Sequence, residues 1–229
     1  MRLVLALLLL PLLAQAQEDY KLLGASVRTR PDYDGSASRT IDLTPVVRYY
    51  GRPLFARTTQ GMFEGGARVY YGSTQIGVQI AYEAGRDEAF GLSKVNFGAS
   101  YGVHVENDFK IGPVPGDVLL RLRKHFDSDR GWQADLRSNL GVYGGGGTRA
   151  GVFGQATWAS TKSMRSFYGV DDSGLLFVAL GAYATHDLSK TWLLVGSAEL
   201  RRLSNDAMAS PIVEKRTATY ASFGAAYRF

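Results

Sequence analysis

The chain of 229 residues carries 26 Lys and Arg against 21 Asp and Glu, a formal charge of +5, with 45% hydrophobic residues and no cysteine. Without cysteine, a disulfide framework, a thiolate metal site and a cysteine-linked lipid anchor are all excluded. The positive charge is spread along the chain with no basic block, which argues against nucleic acid as a partner.

At the N-terminus, Arg2 is followed by an apolar run over residues 3–13 and then by Ala14-Gln15-Ala16. A cation, a short apolar stretch and an A-x-A site, in that order, are the parts of a secretory signal peptide. The run is too short for a membrane-spanning helix, which needs about 20 residues. This predicts cleavage near Ala16 and export of a single mature domain, 17–229.

Further along, the longest apolar run covers residues 175–184, the length of a transmembrane strand and not of a helix. Alternation with a period of two recurs instead. In "RTIDLTPVVRYY", Ile41, Leu43, Val47 and Tyr49 oppose Thr40, Asp42, Thr44 and Arg48. In "TQIGVQIAYEAG", Ile76, Val78, Ile80 and Tyr82 oppose Gln75, Gln79 and Glu83. "KVNFGASYGVHVE" sets Val95, Phe97, Ala99, Tyr101, Val103 and Val105 against Asn96, Ser100, His104 and Glu106. "WQADLRSNLGVY" sets Trp132, Ala134, Leu136, Leu140 and Val142 against Gln133, Asp135, Arg137 and Asn139.

A soluble β-sandwich and a membrane barrel both alternate, with the apolar face inside in one and outside in the other. Three features favour the barrel. Trp132, Trp158 and Trp192 fall near strand ends on the apolar register, where an aromatic girdle meets lipid headgroups. The 27 glycines and 13 tyrosines suit close strand packing and interfacial rings. The polar faces mix charges, as though Arg121, Arg123, Arg137, Arg149, Arg201 and Arg228 faced Asp42, Glu64, Asp135 and Glu199 across a lumen.

The predicted fold is therefore an all-β, transmembrane, antiparallel up-and-down barrel of about 12 strands. Their spans are 19–28, 40–50, 53–60, 63–71, 75–85, 95–106, 117–125, 131–143, 148–159, 174–187, 190–203 and 218–229. With the N-terminus in the periplasm, the long connections 29–39, 86–94, 160–173 and 204–217 are extracellular; the short ones, 51–52, 72–74, 144–147 and 188–189, are periplasmic. Two connections break the rule: a short outer one at Gly61 and a long inner one at 107–116. The inner one, with Lys110, Pro113 and Pro115, is the candidate contact surface for a periplasmic partner. "YGGGGTR" joins two strands and leads into no helix, so it reads as a hairpin turn and not as a phosphate cradle.

The chain ends "TYASFGAAYRF", with Phe223, Tyr227 and Phe229 on the apolar register. A last strand must close against the first, because an open edge in lipid leaves backbone groups unsatisfied. The terminal aromatic pattern, Tyr227 and Phe229 in particular, resembles the signal read by bacterial barrel assembly machinery.

Over roughly the last 65 residues, "SFYGVDDSGL", "HDLSKTWLLVGSAELRRLSNDAMASPIVEKR" and the aromatic end resemble the outer-membrane proteins of the MltA-interacting protein and OmpV family. Phe167-Tyr168-Gly169-Val170 and Ser210-Pro211-Ile212-Val213 carry the likeness most clearly, although the loop after Val170 is shorter than in typical members. The resemblance implies outer-membrane location, contact with outer-membrane lipids, and a non-enzymatic scaffold joining a periplasmic murein hydrolase to a penicillin-binding protein. A small-solute channel and a surface adhesin acting through the outer loops are the alternatives.

No catalytic, cofactor or metal residue is assigned. Ser100, His104 and Glu106 share one polar face, but same-face neighbours lie about 7 Å apart. They read as lumen polar groups. The stretch "ASPIV" around Pro211 is either an external contact or a rigid brace against the barrel rim.

Overall fold

The computed structural model describes residues 21–229. The predicted signal peptide, 1–16, and the start of the first predicted strand lie outside the described residues. Twelve antiparallel strands close into one barrel, in which each pairs with its sequence neighbours and the last with the first. They are β1 Leu22–Pro31, β2 Arg39–Tyr50, β3 Leu54–Thr59, β4 Met62–Tyr71, β5 Thr74–Glu83, β6 Gly98–Ile111, β7 Val114–His125, β8 Trp132–Gly145, β9 Thr148–Ala159, β10 Gly174–Asp187, β11 Trp192–Leu203 and β12 Thr217–Arg228.

The alternation decides which side is lipid. In β5, Ile76 and Val78 are 50% and 58% exposed while Gln75 and Gln79 are 2% and 3% exposed. A sandwich would bury the isoleucine and expose the glutamine. Here the greasy side faces out, as hydrocarbon requires. Among the described residues no helix is long and apolar enough to cross a membrane.

All connections at one end are short. Gly146 and Gly147, at φ 57° and 74°, form a two-residue turn of the kind that needs left-handed backbone. The inner connection expected at 107–116 is not a loop. β6 runs to Ile111 and β7 begins at Val114, leaving only Gly112 and Pro113 as the turn. Two prolines and a polar pair had the composition of a loop, yet the hairpin absorbs them: Asp108 pairs in register with Asp117, and Lys110 with Pro115. The other exception stands, since Gln60 and Gly61 alone link β3 to β4.

That hairpin is short. β3 pairs with β2 only from Arg48↔Arg57 to Tyr50↔Phe55, and residues 39–47 of β2 have no strand on that side.

At the opposite end, the connections are long and partly helical. α1, Thr161–Tyr168, is capped by Ser160, whose hydroxyl accepts from the Ser163 amide, and stops at Gly169 at φ 68°. α2, Asn205–Met208, is a single turn. Met164 and Tyr168 of α1, Ala207 of α2 and Ile212 from the loop after it pack on Leu176 and Phe177 at the barrel mouth. The Tyr33 hydroxyl donates to the Ile212 carbonyl at 3.1 Å, and the Glu214 and Lys215 amides donate to Gly35 at 2.8 and 2.9 Å. The "ASPIV" stretch is thus a brace: Ile212 is fully buried in a cap over the lumen. Burial, with Asp34 nearby, pushes the Tyr168 phenol well above its ordinary pKa, so it sits in the cap as a neutral group.

Candidate functional site

The chemistry of this molecule is in its lumen. Strand register sets two inward arginines beside an inward acid on the next strand: Arg57 opposite Glu64 across the β3–β4 turn, and Arg121 opposite Asp135. From these pairs a chain of ion pairs runs around one wall. Arg57 Nη1 donates to Glu106 at 2.7 Å and its Nε to Glu64 at 2.6 Å. Arg121 bridges Glu64 at 2.7 Å and Asp135 at 2.9 Å; Arg123 continues from Asp135 at 3.1 Å to Glu83. Hydroxyls complete the carboxylates, Thr157 donating to Asp135 at 2.8 Å and Ser100 to Glu83 at 2.6 Å. All the arginines and acids of this chain are buried.

A second cluster lies across the lumen. Arg28 and Arg30 share the single carboxylate of Asp42, at 3.0 and 2.7 Å. Arg201 pairs with Glu199 at 2.9 Å and with Asp34 at 2.7 Å. Between the two clusters the β3–β4 turn leaves the wall and crosses the lumen. Gln60 Nε2 donates to Glu199 on β11 at 2.7 Å, and the Gln60 carbonyl accepts from Arg28 at 3.3 Å. The tip divides the interior into two cavities. The upper, about 540 Å³, lies under the cap against Phe167, Tyr168 and Phe177. The lower, about 330 Å³, is lined by Arg48, Asp117, Arg137 and Tyr183.

Gly61 is what lets the tip sit there. It lies at φ 79°, and a Cβ would come within 1.4 Å of Arg28 Nη1. Gly61→Ala should cost about 1–2 kcal/mol from the left-handed backbone alone, and more from displacing the guanidinium. Gly72, at φ 62° with open space around it, is the control. Urea unfolding in lipid vesicles should show a clearly larger loss for Gly61→Ala than for Gly72→Ala; equal losses would mean the Arg28 contact contributes nothing.

The lumen arginines expected from the sequence do not all find acids there. Arg149 and Arg228 pair with Asp187 near the short-turn rim, at 3.5 and 2.5 Å. Arg137 donates to Asn139 at 3.0 Å and stacks on Phe153, 4.1 Å from its centroid, and among the described residues forms no ion pair. Arg57, central to the network, is not singled out in sequence, and Glu83 only as one of the polar groups on its strand. The signal was available for Arg57, seven residues before Glu64 about a two-residue turn. Ser100, His104 and Glu106 are not brought together as a relay: Ser100 binds Glu83, Glu106 binds Arg57, and His104 packs edge-on against Phe55.

Lys110, Pro113 and Pro115 lie together, exposed, on the β6–β7 hairpin at the short-turn end. The β5 pairing of β6 ends at Thr74↔Asn107, so the hairpin projects four residues beyond β5. Tyr227 and Phe229 also stand at that end, on the outer face. Their rings are 6.5 Å apart, and Trp192 lies 5.4 Å from Tyr227. Trp132, Tyr101 and Phe126 are exposed near the other end, making two aromatic bands.

A closed barrel with an apolar exterior between aromatic bands, a charged interior, short turns at one end and long capped loops at the other is an outer-membrane β-barrel protein. The chain belongs to the MipA family, whose description is MltA-interacting protein MipA and whose model matches residues 23–229. The two sequence pieces that carried the family likeness, Phe167 to Val170 and Ser210 to Val213, meet in the cap. A comparison with curated proteins finds no match. Among solved structures, the chain is similar to the outer-membrane OmpT of Vibrio cholerae, at 8% identity and TM-score 0.44, covering 92% of this chain and 96% of that one. It is similar also to the NanC porin, at 9% identity and TM-score 0.43, covering 90% and 100%.

Proposed function

We propose that this protein is a non-enzymatic outer-membrane anchor that presents the β6–β7 hairpin to periplasmic murein enzymes, a hydrolase and a penicillin-binding protein. One observation carries the reading. The β4–β5 and β8–β9 hairpins project as far past β3 and β7 as this one does past β5, and what sets it apart is its end, exposed Lys110, Ile111, Pro113 and Pro115. An exposed aliphatic beside a cation and two prolines, on a stiff two-stranded support, is a surface that another protein can bury at small entropic cost. The description of the family, as interacting with MltA, agrees in kind. Under the same reading, Tyr227 and Phe229 form the assembly signal, and export follows cleavage near Ala16.

The test is capture of a purified periplasmic lytic transglycosylase by the full barrel in detergent. Changing Lys110, Ile111, Pro113 and Pro115 together to serine should weaken capture by about tenfold or more, equivalent to roughly 1.4 kcal/mol, with unchanged heat-modifiable mobility of the barrel. Undiminished capture by a folded variant would remove the hairpin from the interaction.

A further inference from the structure

The barrel wall is incomplete in its outer-leaflet half. Above Arg48↔Arg57, β3 no longer pairs with β2, and the β4–β5 pairing stops at Glu64↔Ala81. Between residues 39–47 of β2 and the upper end of β5, the place of a strand pair is empty because the β3–β4 tip has turned into the lumen. The consequence is visible on the rim: Leu43 and Ile41, at 79% and 73%, are the most exposed aliphatic side chains among the described residues. The upper cavity reaches this gap. Its lining includes Leu43 and Pro45 from the lipid-facing register of β2, and Phe63 and Tyr82 from the lipid-facing register across the gap. It also includes the inward groups Arg28, Arg30, Asp42 and Arg86. One cavity therefore joins the bilayer to the lumen.

We propose that this gap is a lateral portal through which an anionic, phosphate-bearing lipid of the surrounding leaflet enters the upper cavity, acyl chains at the rim and phosphate inside. Three features select that occupant. The free edge of β2 would leave backbone donors and acceptors in hydrocarbon at several kcal/mol each, and Pro45 removes only one donor; a lipid's ester carbonyls meet the rest, which a bare alkyl chain cannot. Inside, Arg28 and Arg30 have one carboxylate between them, leaving a local excess of positive charge. Arg86, buried at the top of the gap, gives its Nη groups to the carbonyls of Asp87 and Ser93 and, among the described residues, forms no ion pair and leaves its Nε without a partner. Guanidinium groups so placed suit a phosphate.

The experiment uses the full chain extracted from outer membranes into detergent and exchanged with spin-labelled phosphatidylglycerol or spin-labelled phosphatidylcholine, with retained label counted per chain. The wild-type barrel should retain the anionic lipid about tenfold better than the zwitterionic one. Leu43→Trp, which fills the rim from an exposed position, should lower retention of both lipids. Arg86→Gln should lower that of phosphatidylglycerol alone. Equal retention of the two lipids by the wild type, which is what a nonspecific annulus gives, overturns the proposal, as does retention that neither variant lowers. If Arg86→Gln fails to fold, Leu43→Trp decides alone.

Discussion

Replacing Glu64 with alanine is expected to destabilise the barrel by about 3–5 kcal/mol, the usual cost of removing one partner from a buried ion pair. Glu64 accepts from Arg57 at 2.6 Å and from Arg121 at 2.7 Å and is fully buried, so the change leaves Arg57 with Glu106 alone and Arg121 with Asp135 alone in a space that water barely reaches. Most of the loss is the penalty of guanidinium N–H groups left buried without an acceptor, not the strength of the bonds removed. Two further variants separate these. Glu64→Gln keeps the shape and some hydrogen bonding but not the charge, and should recover only a minor part. Asp42→Ala, which also removes a carboxylate shared by two arginines, sits in a partly exposed position where solvent screens the charges, and should cost much less. Urea unfolding in lipid vesicles, followed by tryptophan fluorescence, gives all three. A Glu64→Ala loss below about 1 kcal/mol would show that the lumen is wet enough to screen the network.

Phe229→Ala is expected to have the opposite character: little change in the stability of the assembled barrel, but a several-fold fall in its amount in the outer membrane. The ring is 63% exposed on the lipid side, and what ties the terminus down is backbone, the Phe229 amide donating to the Lys21 carbonyl at 3.1 Å and β12 pairing with β1 from Thr29↔Ala221 to Leu22↔Arg228. Alanine keeps every one of those hydrogen bonds. It removes only the end of the Trp192, Tyr227 and Phe229 ring cluster. If this cluster is what the assembly machinery reads, Tyr227→Ala combined with Phe229→Ala should deepen the defect while barrels refolded in vitro from urea stay as stable as the wild type. Normal membrane levels for the double variant would remove both residues from that role; a large loss of stability in vitro would make their part structural.

The two predictions fall on either side of what can be read along the chain. Phe229 is legible in sequence because it belongs to a local pattern, apolar groups at every second position up to the last residue. Glu64 is legible only as an inward charge. That it holds both Arg57 and Arg121 depends on a closed wall, inside which the long Arg121 side chain reaches from β7 past two strands to β4, and no spacing in the sequence shows it. The misplaced connection at 107–116 has a similar cause. Asp108, Pro113 and Pro115 are poor strand residues locally, but the ladder of β6 with β7 carries them because Asp108 and Asp117 face the polar interior and the prolines stand at the exposed end of the hairpin. Tertiary pairing overrode a propensity that was correctly read.

What the sequence by itself determined was the class of wall: strands of membrane-crossing length, their number, the side that meets lipid and the long-loop, short-turn polarity, all consequences of a period-two pattern that each strand states alone. Membership of the family was legible too, from Phe167 to Val170 and Ser210 to Val213. Only the tertiary structure decided what the barrel encloses. The turn at Gln60 and Gly61 showed in sequence only as a connection too short for its end of the barrel, and its inward fold, the division of the lumen and the opening beside Leu43 follow from contacts with Arg28 on β1 and Glu199 on β11. Partners 32 and 139 residues away leave no periodicity to read; closing the cylinder is what brings them within hydrogen-bonding distance.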